Sequence, residues 1–332
     1  MEDPADFTMI RAAAARIAGR ARLTPILSSP FLNEIAGRQV LVKPECLQHT
    51  GSFKFRGAWS AISALPARAL RRGVIAFSSG NHAQGVALAA QAHDAPALIA
   101  MPSDAPAAKI EGTRSLGSEV LFYDRATQDR DAIGAALAEE RGLTLIRPYD
   151  EPLVMAGQGT VGLEIAAQAA EQGVTRAEVL VPCGGGGLTA GIALALEAEA
   201  PEMLVRPVEP EGFDDVARSL ASGRIETNRS TAGSLCDAIV TPRPGRITFP
   251  VLARLCGSGL VVHENEALAA MALAFAHLKI VLEPGGAVAL AAALFHGHRI
   301  KGDSVIVVAT GGNVDRAVFL QALESTGPGL RI

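Results

Sequence analysis

Runs of β-branched and aliphatic residues alternate with stretches of helical periodicity along most of the chain, the mark of βα units and a largely parallel sheet. Nine runs read as strands: QVLVKP, GVIAFSS, PALIAMP, SEVLFYD, LTLIRP, AEVLVPC, MLVRPVE, GLVVHE and DSVIVVAT. They are apolar almost throughout instead of alternating, which suits strands covered on both faces. Between them the 3.6-residue period marks helices in HAQGVALAAQAH, TQDRDAIGAALAEE, VGLEIAAQAAEQ, ENEALAAMALAFAHLKI and GAVALAAALFHG. Nine strands are many for one sheet. The segment 66–150 holds four compact βα units and closes in RPYDEPLVMAGQG, rich in turn formers. The expected architecture is therefore α/β with two open twisted domains: a smaller, mobile one over 66–150, and a larger one from 1–65 plus 151–332. A cleft between domains is where ligands most often bind. Ser222 to Pro250 is polar and punctuated by Pro and Gly, as a surface loop or cleft wall would be.

The 332 residues suffice for about two domains. Although 49% are hydrophobic, charge, Gly or Pro interrupts each apolar stretch before the ~20 residues that a membrane helix needs. The N-terminus opens with acidic residues, MEDPADF, and lacks the positive start of a secretory signal. A net charge of −4 without a basic run removes the electrostatic footprint of nucleic-acid binding. Cys46, Cys183, Cys236 and Cys256 form no CxxC pair, which speaks against a zinc knuckle or a disulfide framework and for a reducing cytoplasm.

Five short constellations carry candidate chemistry. In His49-Thr50-Gly51-Ser52-Phe53-Lys54-Phe55-Arg56-Gly57-Ala58, Ser52 is placed to cap a helix with Lys54 in its first turn. There the positive end of the helix dipole disfavours an ammonium and yields the neutral amine that a lysine needs to bond a carbonyl carbon. Taken alone, the same lysine reads as a surface residue opening an amphipathic helix. Ser78-Ser79-Gly80-Asn81-His82-Ala83-Gln84-Gly85 follows a strand and opens a helix, so its free N–H groups and hydroxyls suit a carboxylate. Gly184-Gly185-Gly186-Gly187-Leu188 lets the backbone wrap a phosphate. Thr310 in VATGGN offers a hydroxyl to a heterocycle nitrogen. The oxygens of Glu209, Asp215 and the Phe213 carbonyl, around an acidic turn, could hold Mg²⁺ or Ca²⁺, though an acidic helix start explains them too. A rival reading exists, because Gly185 to Ala190 also fits G-x-G-x-x-A with Glu209 beyond it, the fingerprint of a nicotinamide-dependent oxidoreductase. It comes late in the chain for that role and leaves Lys54 and SSGNH unexplained.

In this order, SFKFRGA, SSGNHAQG, GGGGL, EPGGAVAL and TGGN resemble the threonine/serine dehydratase and serine racemase group of fold-type II pyridoxal phosphate enzymes, which share the fold of tryptophan synthase β. The resemblance runs from Leu23-Thr24-Pro25 to Asn313, and Lys54-Phe55-Arg56-Gly57 favours elimination over β-replacement, whose enzymes carry K-D-R. It implies that Lys54 holds pyridoxal phosphate covalently and acts as base. Phe53 would lie beside the ring, Asn81 would bond the ring oxygen and Gly184 to Leu188 would hold the phosphate. Thr310 would face the ring nitrogen, where relatives have Ser or Cys, and Glu283 of EPGGAVAL would join the cofactor's surroundings. Ser79, Asn81 and His82 would take the substrate carboxylate. Ser79, where many dehydratases have Ala, matches the racemase arrangement and implies racemisation as a side reaction. Arg130 stands where racemase relatives meet dicarboxylates and would clamp a second carboxylate, making 3-hydroxyaspartate a substrate beside threonine and serine. Cys236-Asp237-Ala238 departs from the usual Asp-Gly, so specificity does not copy from one relative. Some members bind Mg²⁺, Ca²⁺ or Mn²⁺ through an E-P-E segment, which adds weight to Glu209, Phe213 and Asp215. Family habit also implies a homodimer, and the absence of a regulatory domain implies a catabolic dehydratase.

Overall fold

The structure is a computed structural model that describes residues 3–78, 80–103, 105, 107–124, 127–128 and 130–324; at 107–109, 130 and 131 it describes the backbone alone. The strands are β1 (Gln39–Pro44), β2 (Val74–Phe77), β3 (Ala97–Pro102), β4 (Glu119–Tyr123), β5 (Thr144–Leu145), β6 (Ala177–Pro182), β7 (Met203–Pro210), β8 (Leu260–Val262) and β9 (Ser304–Ala309). They form two sheets, ordered β1-β9-β6-β7-β8 and β4-β3-β2-β5. Every pairing is parallel. The fold is thus the α/β class that the hydrophobic pattern predicts.

The strand order places the site. In an open parallel sheet a crevice forms at the carboxyl ends where the chain reverses its direction of winding. In the larger sheet the winding runs outward through β7 and β8 on one side of β6, and through β9 and β1 on the other. The carboxyl ends of β6 and β9 carry Gly184–Gly187 and Thr310–Asn313. In the smaller sheet the switch falls at β2, whose carboxyl end carries Ser78-Ser79-Gly80-Asn81.

Helix Lys54–Ser63 lies at the seam. Phe55, Ala58, Trp59 and Ile62 share a core with Val74 and Ile99 of the small sheet and with Val86 of helix Asn81–Ala92. The largest core packs helices Glu264–Leu278 and Pro284–Phe295 against the other sheet. Arg56 is fully buried on the seam helix, bonded to both oxygens of buried Glu45 at 2.7 and 2.8 Å and to Glu164. Lys43, also fully buried, completes the cluster through Glu164 at 2.6 Å, Gln168 and the Thr24 carbonyl.

Two local expectations need correction. The turn-rich stretch RPYDEPLVMAGQG does not run on as loop: a 20-residue helix, Pro152–Glu171, starts inside it. Pro152 occupies its first turn, where a missing N–H costs nothing, and the Glu151 carboxylate caps Leu153 and Val154. Ser52 is not the cap of the lysine helix either. It is extended and paired antiparallel with Gly311, and the capping position falls to Phe53.

Candidate active site

A cleft of about 920 Å³ runs between the two sheets. Its lining brings together Phe53, Lys54, Asn81, His82, Gly184 to Leu188, Glu283 and Thr310, which the sequence places far apart. The floor is knitted by backbone and amide hydrogen bonds. Phe53 N–H donates to the Thr310 carbonyl, Gly312 N–H to that of Gly51, and Glu283 N–H to that of Gly311. Asn81 donates its amide to Glu283 at 2.6 Å and accepts from Asn313 at 2.7 Å, and Asn313 also donates to the Thr50 carbonyl. This close meeting explains the TGGN glycines: a Cβ on Gly311 would stand 2.0 Å from a Glu283 oxygen.

Lys54 is the first residue of its helix, and its Nζ donates to the Pro148 carbonyl at 2.8 Å and lies 5.1 Å from the Phe53 ring centre. In the lining of the same cleft, Gly186 takes a left-handed φ of 92° and caps helix Gly187–Glu199, so the first N–H groups of that helix open onto the glycine loop. Thr189 Oγ1 and both amide atoms of Gln158, all buried on the cleft wall, have no hydrogen-bond partner among the described residues. Of these, the Thr189 hydroxyl and the Gln158 Nε2 group can donate, and two such donors beside a glycine loop at a helix N-terminus fit an anionic group carrying several acceptor oxygens.

His82 is buried, and its Nε2 meets the Ile146 carbonyl at 2.9 Å. A carbonyl only accepts, so Nε2 carries the proton and Nδ1 keeps a bare lone pair that would repel a carboxylate. His82 can serve a carboxylate through its backbone N–H, in the first turn of helix Asn81–Ala92. Burial, and then the Lys54 charge, push the imidazole down to about 3 from 6.5. The unfolded chain therefore binds an extra proton between these values, and stability falls as pH drops through that window, by up to about 1.4 kcal/mol per unit. We expect the melting temperature to fall less steeply from pH about 7 to about 5 in His82→Asn than in the parent. Equal slopes would rule out His82 as a source of acid sensitivity.

Ser79 and the side chain of Arg130 lie outside the described residues; Thr127 and Gln128, from the same segment as Arg130, line the cleft. Glu209, the penultimate residue of β7, is fully buried, and its two oxygens accept from Val216 N–H at 2.9 Å and Ala217 N–H at 2.7 Å, at the start of helix Asp215–Ser222. Burial, and then the neighbouring Asp215, raise its carboxyl well above the usual range. Asp215 is pushed up to about 7, first by burial; one oxygen accepts from Asn228 and the other is buried without a partner among the described residues. Among the described residues no group of three or more His, Cys, Asp or Glu is arranged for a metal. The nicotinamide reading fails on the same geometry, because a Glu209 engaged by helix N–H groups inside the protein is closed to a ribose.

Sequence reasoning missed the strap 146–150. The Ile146 carbonyl holds His82, the Pro148 carbonyl holds Lys54, and the Tyr149 ring lies so close on the glycine loop that a Cβ on Gly185 would meet it at 2.2 Å. Asp150 caps Arg246 and Ile247 beside helix Thr248–Leu255.

A glycine loop at a helix N-terminus and a helix-start lysine lining one α/β cleft fit an enzyme site built around a phosphorylated carbonyl cofactor. The chain belongs to the pyridoxal-phosphate dependent enzyme family, whose model matches residues 17–311. It is 44% identical over 312 residues to an L-threo-3-hydroxyaspartate ammonia-lyase of Pseudomonas sp, covering 94% of this chain and 96% of that one. To a serine racemase of Oryza sativa subsp. indica it is 37% identical over 324 residues, 96% of this chain and 94% of that one. Among solved structures, a threonine deaminase of T.th. superposes with a TM-score of 0.88 at 45% identity, covering 93% of this chain and 99% of that one.

Proposed function

We propose that this protein is a pyridoxal phosphate-dependent ammonia-lyase that converts a small 3-hydroxy amino acid, with 3-hydroxyaspartate foremost, to a 2-oxo acid and ammonia. The observation that carries it is that Lys54 lines the same cleft as the glycine loop and the partnerless Thr189 and Gln158. The 44% identity to a 3-hydroxyaspartate ammonia-lyase supports the choice among substrates.

Gly184 to Gly187, Leu188 and Thr189 would hold the phosphate, Thr310 the ring nitrogen, Asn81 the ring oxygen and Lys54 the aldehyde carbon. Bound there, pyridoxal phosphate supplies a conjugated sink for the electron pair left when the α-proton departs. Lys54 Nζ, steadied by the Pro148 carbonyl, is the base for that proton. The helix start at Asn81 and His82 offers backbone N–H groups to the substrate α-carboxylate, and Ser79 is assigned to the same carboxylate by the family resemblance. The 3-hydroxyl leaves as water, and hydrolysis of the resulting enamine returns that water, so the net products are a 2-oxo acid and ammonia. A Thr310 hydroxyl facing the ring nitrogen would not force a proton onto it, which would favour elimination. Racemisation through Ser79 is a minor companion reaction, supported by the likeness to serine racemases.

Release of 2-oxo acid across threonine, serine and the 3-hydroxyaspartate stereoisomers tests the function. Arg130→Ala is expected to cost the dicarboxylate about 2 kcal/mol of transition-state binding, the scale of a lost charged hydrogen bond, and to spare threonine. A protein inert towards all of these substrates would refute the reading.

We further propose that Glu209, Asp215 and the Phe213 carbonyl hold a divalent cation, Mg²⁺, Ca²⁺ or Mn²⁺, supported by the partnerless buried Asp215 oxygen beside a second buried carboxylate. A homodimer is supported by the apolar side chains of Phe31, Phe275 and Leu320, each at least 44% exposed. One sedimentation and melting series with and without chelator tests both. The expected outcome is twice the chain mass and a lower melting temperature on chelation; a monomer, or a melting curve indifferent to chelator, would reject the respective claim.

A further inference from the structure

A second, smaller cavity of about 170 Å³ adjoins the cleft and shares Phe77, Pro148, Tyr149 and Pro242 with it. Three arginines line it, Arg147 from the strap and Arg243 and Arg246 from the loop before helix Thr248–Leu255. All three are exposed, and among the described residues none of the guanidinium groups has a carboxylate partner. The single acid in the lining, Asp150, is spent on the backbone N–H groups of Arg246 and Ile247. Uncompensated cations gathered at a concave mouth attract anions and raise their local concentration.

The cluster is wired to the reacting groups. Arg147 precedes Pro148, whose carbonyl holds Lys54 Nζ at 2.8 Å. The loop carrying Arg243 and Arg246 is tied to the glycine loop, where Gly245 N–H and Thr248 Oγ1 both donate to the Gly185 carbonyl at 3.0 and 2.6 Å. An anion held by these arginines is therefore one residue removed from both the lysine and the phosphate cradle.

We infer that Arg147, Arg243 and Arg246 form an anion subsite at the cleft mouth that takes the distal carboxylate of a dicarboxylic amino acid. This rests on the proposed lyase reading and deepens it, adding Arg147, Arg243 and Arg246 to Arg130 in the selection of a dicarboxylic substrate. A monocarboxylic substrate such as threonine presents nothing to this subsite once its only carboxylate is placed at Asn81 and His82.

The test replaces all three by glutamine (Arg147→Gln, Arg243→Gln, Arg246→Gln) in the protein loaded with pyridoxal phosphate. Two readouts are taken at low and high salt: the ratio of kcat/KM for 3-hydroxyaspartate to that for threonine, and the Kd of succinate by calorimetry. Succinate has the same four-carbon skeleton and both carboxylates but no amino group to react. The expected result is a loss of about tenfold or more in the ratio and a matching rise in the succinate Kd, both shrinking at high salt. An unchanged succinate Kd in a variant that melts like the parent would overturn the inference, whatever the turnover. If neither amino acid is turned over while succinate still binds through the arginines, the subsite stands and the lyase reading falls.

Discussion

Replacing Lys54 by alanine is expected to abolish turnover, by at least about 10³-fold, and to strip the purified protein of its visible absorption. Both effects have one cause. Lys54 is the amine that the seam helix, the Pro148 carbonyl and the Phe53 ring together present to the cleft. Lys43, the other lysine of this region, is fully buried in a salt bridge with Glu164 and cannot stand in. Burial lowers its ammonium below the usual range even though Glu164 pulls the other way, yet it stays walled off from the cleft by the network that holds it. An exposed lysine, Lys301, serves as control, since Lys301→Ala should keep colour and rate. Retained absorption in the Lys54 variant would show that another group anchors the cofactor.

The second large effect is expected at Arg56, two residues along the same helix. Burial alone would raise the Glu45 carboxyl, but the Arg56 guanidinium, joined by the Lys43 charge and the Thr24 hydroxyl, holds Glu45 below the usual range. Arg56→Ala removes that partner and leaves Glu45, itself fully buried, short of its main counter-charge. Breaking a buried pair on one side costs about 3–5 kcal/mol. Arg56→Lys should recover only part of this, because an ammonium cannot reproduce the planar fork that reaches Glu45 and Glu164 together. The double change Arg56→Met with Glu45→Leu should cost less than Arg56→Ala, since it buries no lone charge. Urea unfolding midpoints decide the matter. A loss under about 1 kcal/mol in Arg56→Ala would mean that solvent reaches the cluster and screens it.

Much of this molecule could be read from its residues before any coordinates. Continuous apolar runs announced buried parallel strands, and SSGNHAQG, GGGGL and TGGN fell at strand ends, where a winding switch leaves backbone N–H groups open. Glycine-rich turns are legible because few other sequences tolerate such close approach, as Gly311 shows against Glu283. What escaped was chemistry done by the backbone. Pro148 and Ile146 act through carbonyls, which every residue has, so no residue type marks them. Gln158 and Thr189 sit inside helices and read as ordinary helical positions until the cleft exposes their orphaned groups. Ser52 was misread as a cap because its true partner, Gly311, lies near the far end of the chain, and a local rule for helix starts cannot see so distant a bridge. Glu209 shows the converse. Its spacing from the glycines fits a ribose-binding acid, and only its burial against helix N–H groups assigns it elsewhere.

Borohydride reduction of the protein incubated with pyridoxal phosphate, followed by peptide mapping, tests the central claim most directly. Reduction freezes the cofactor onto whichever amine holds it. A single pyridoxyl label on the peptide carrying Ser52-Phe53-Lys54-Phe55, with loss of the yellow colour, is the result predicted here. A label on any other lysine, or a colourless protein that takes up none, would contradict it.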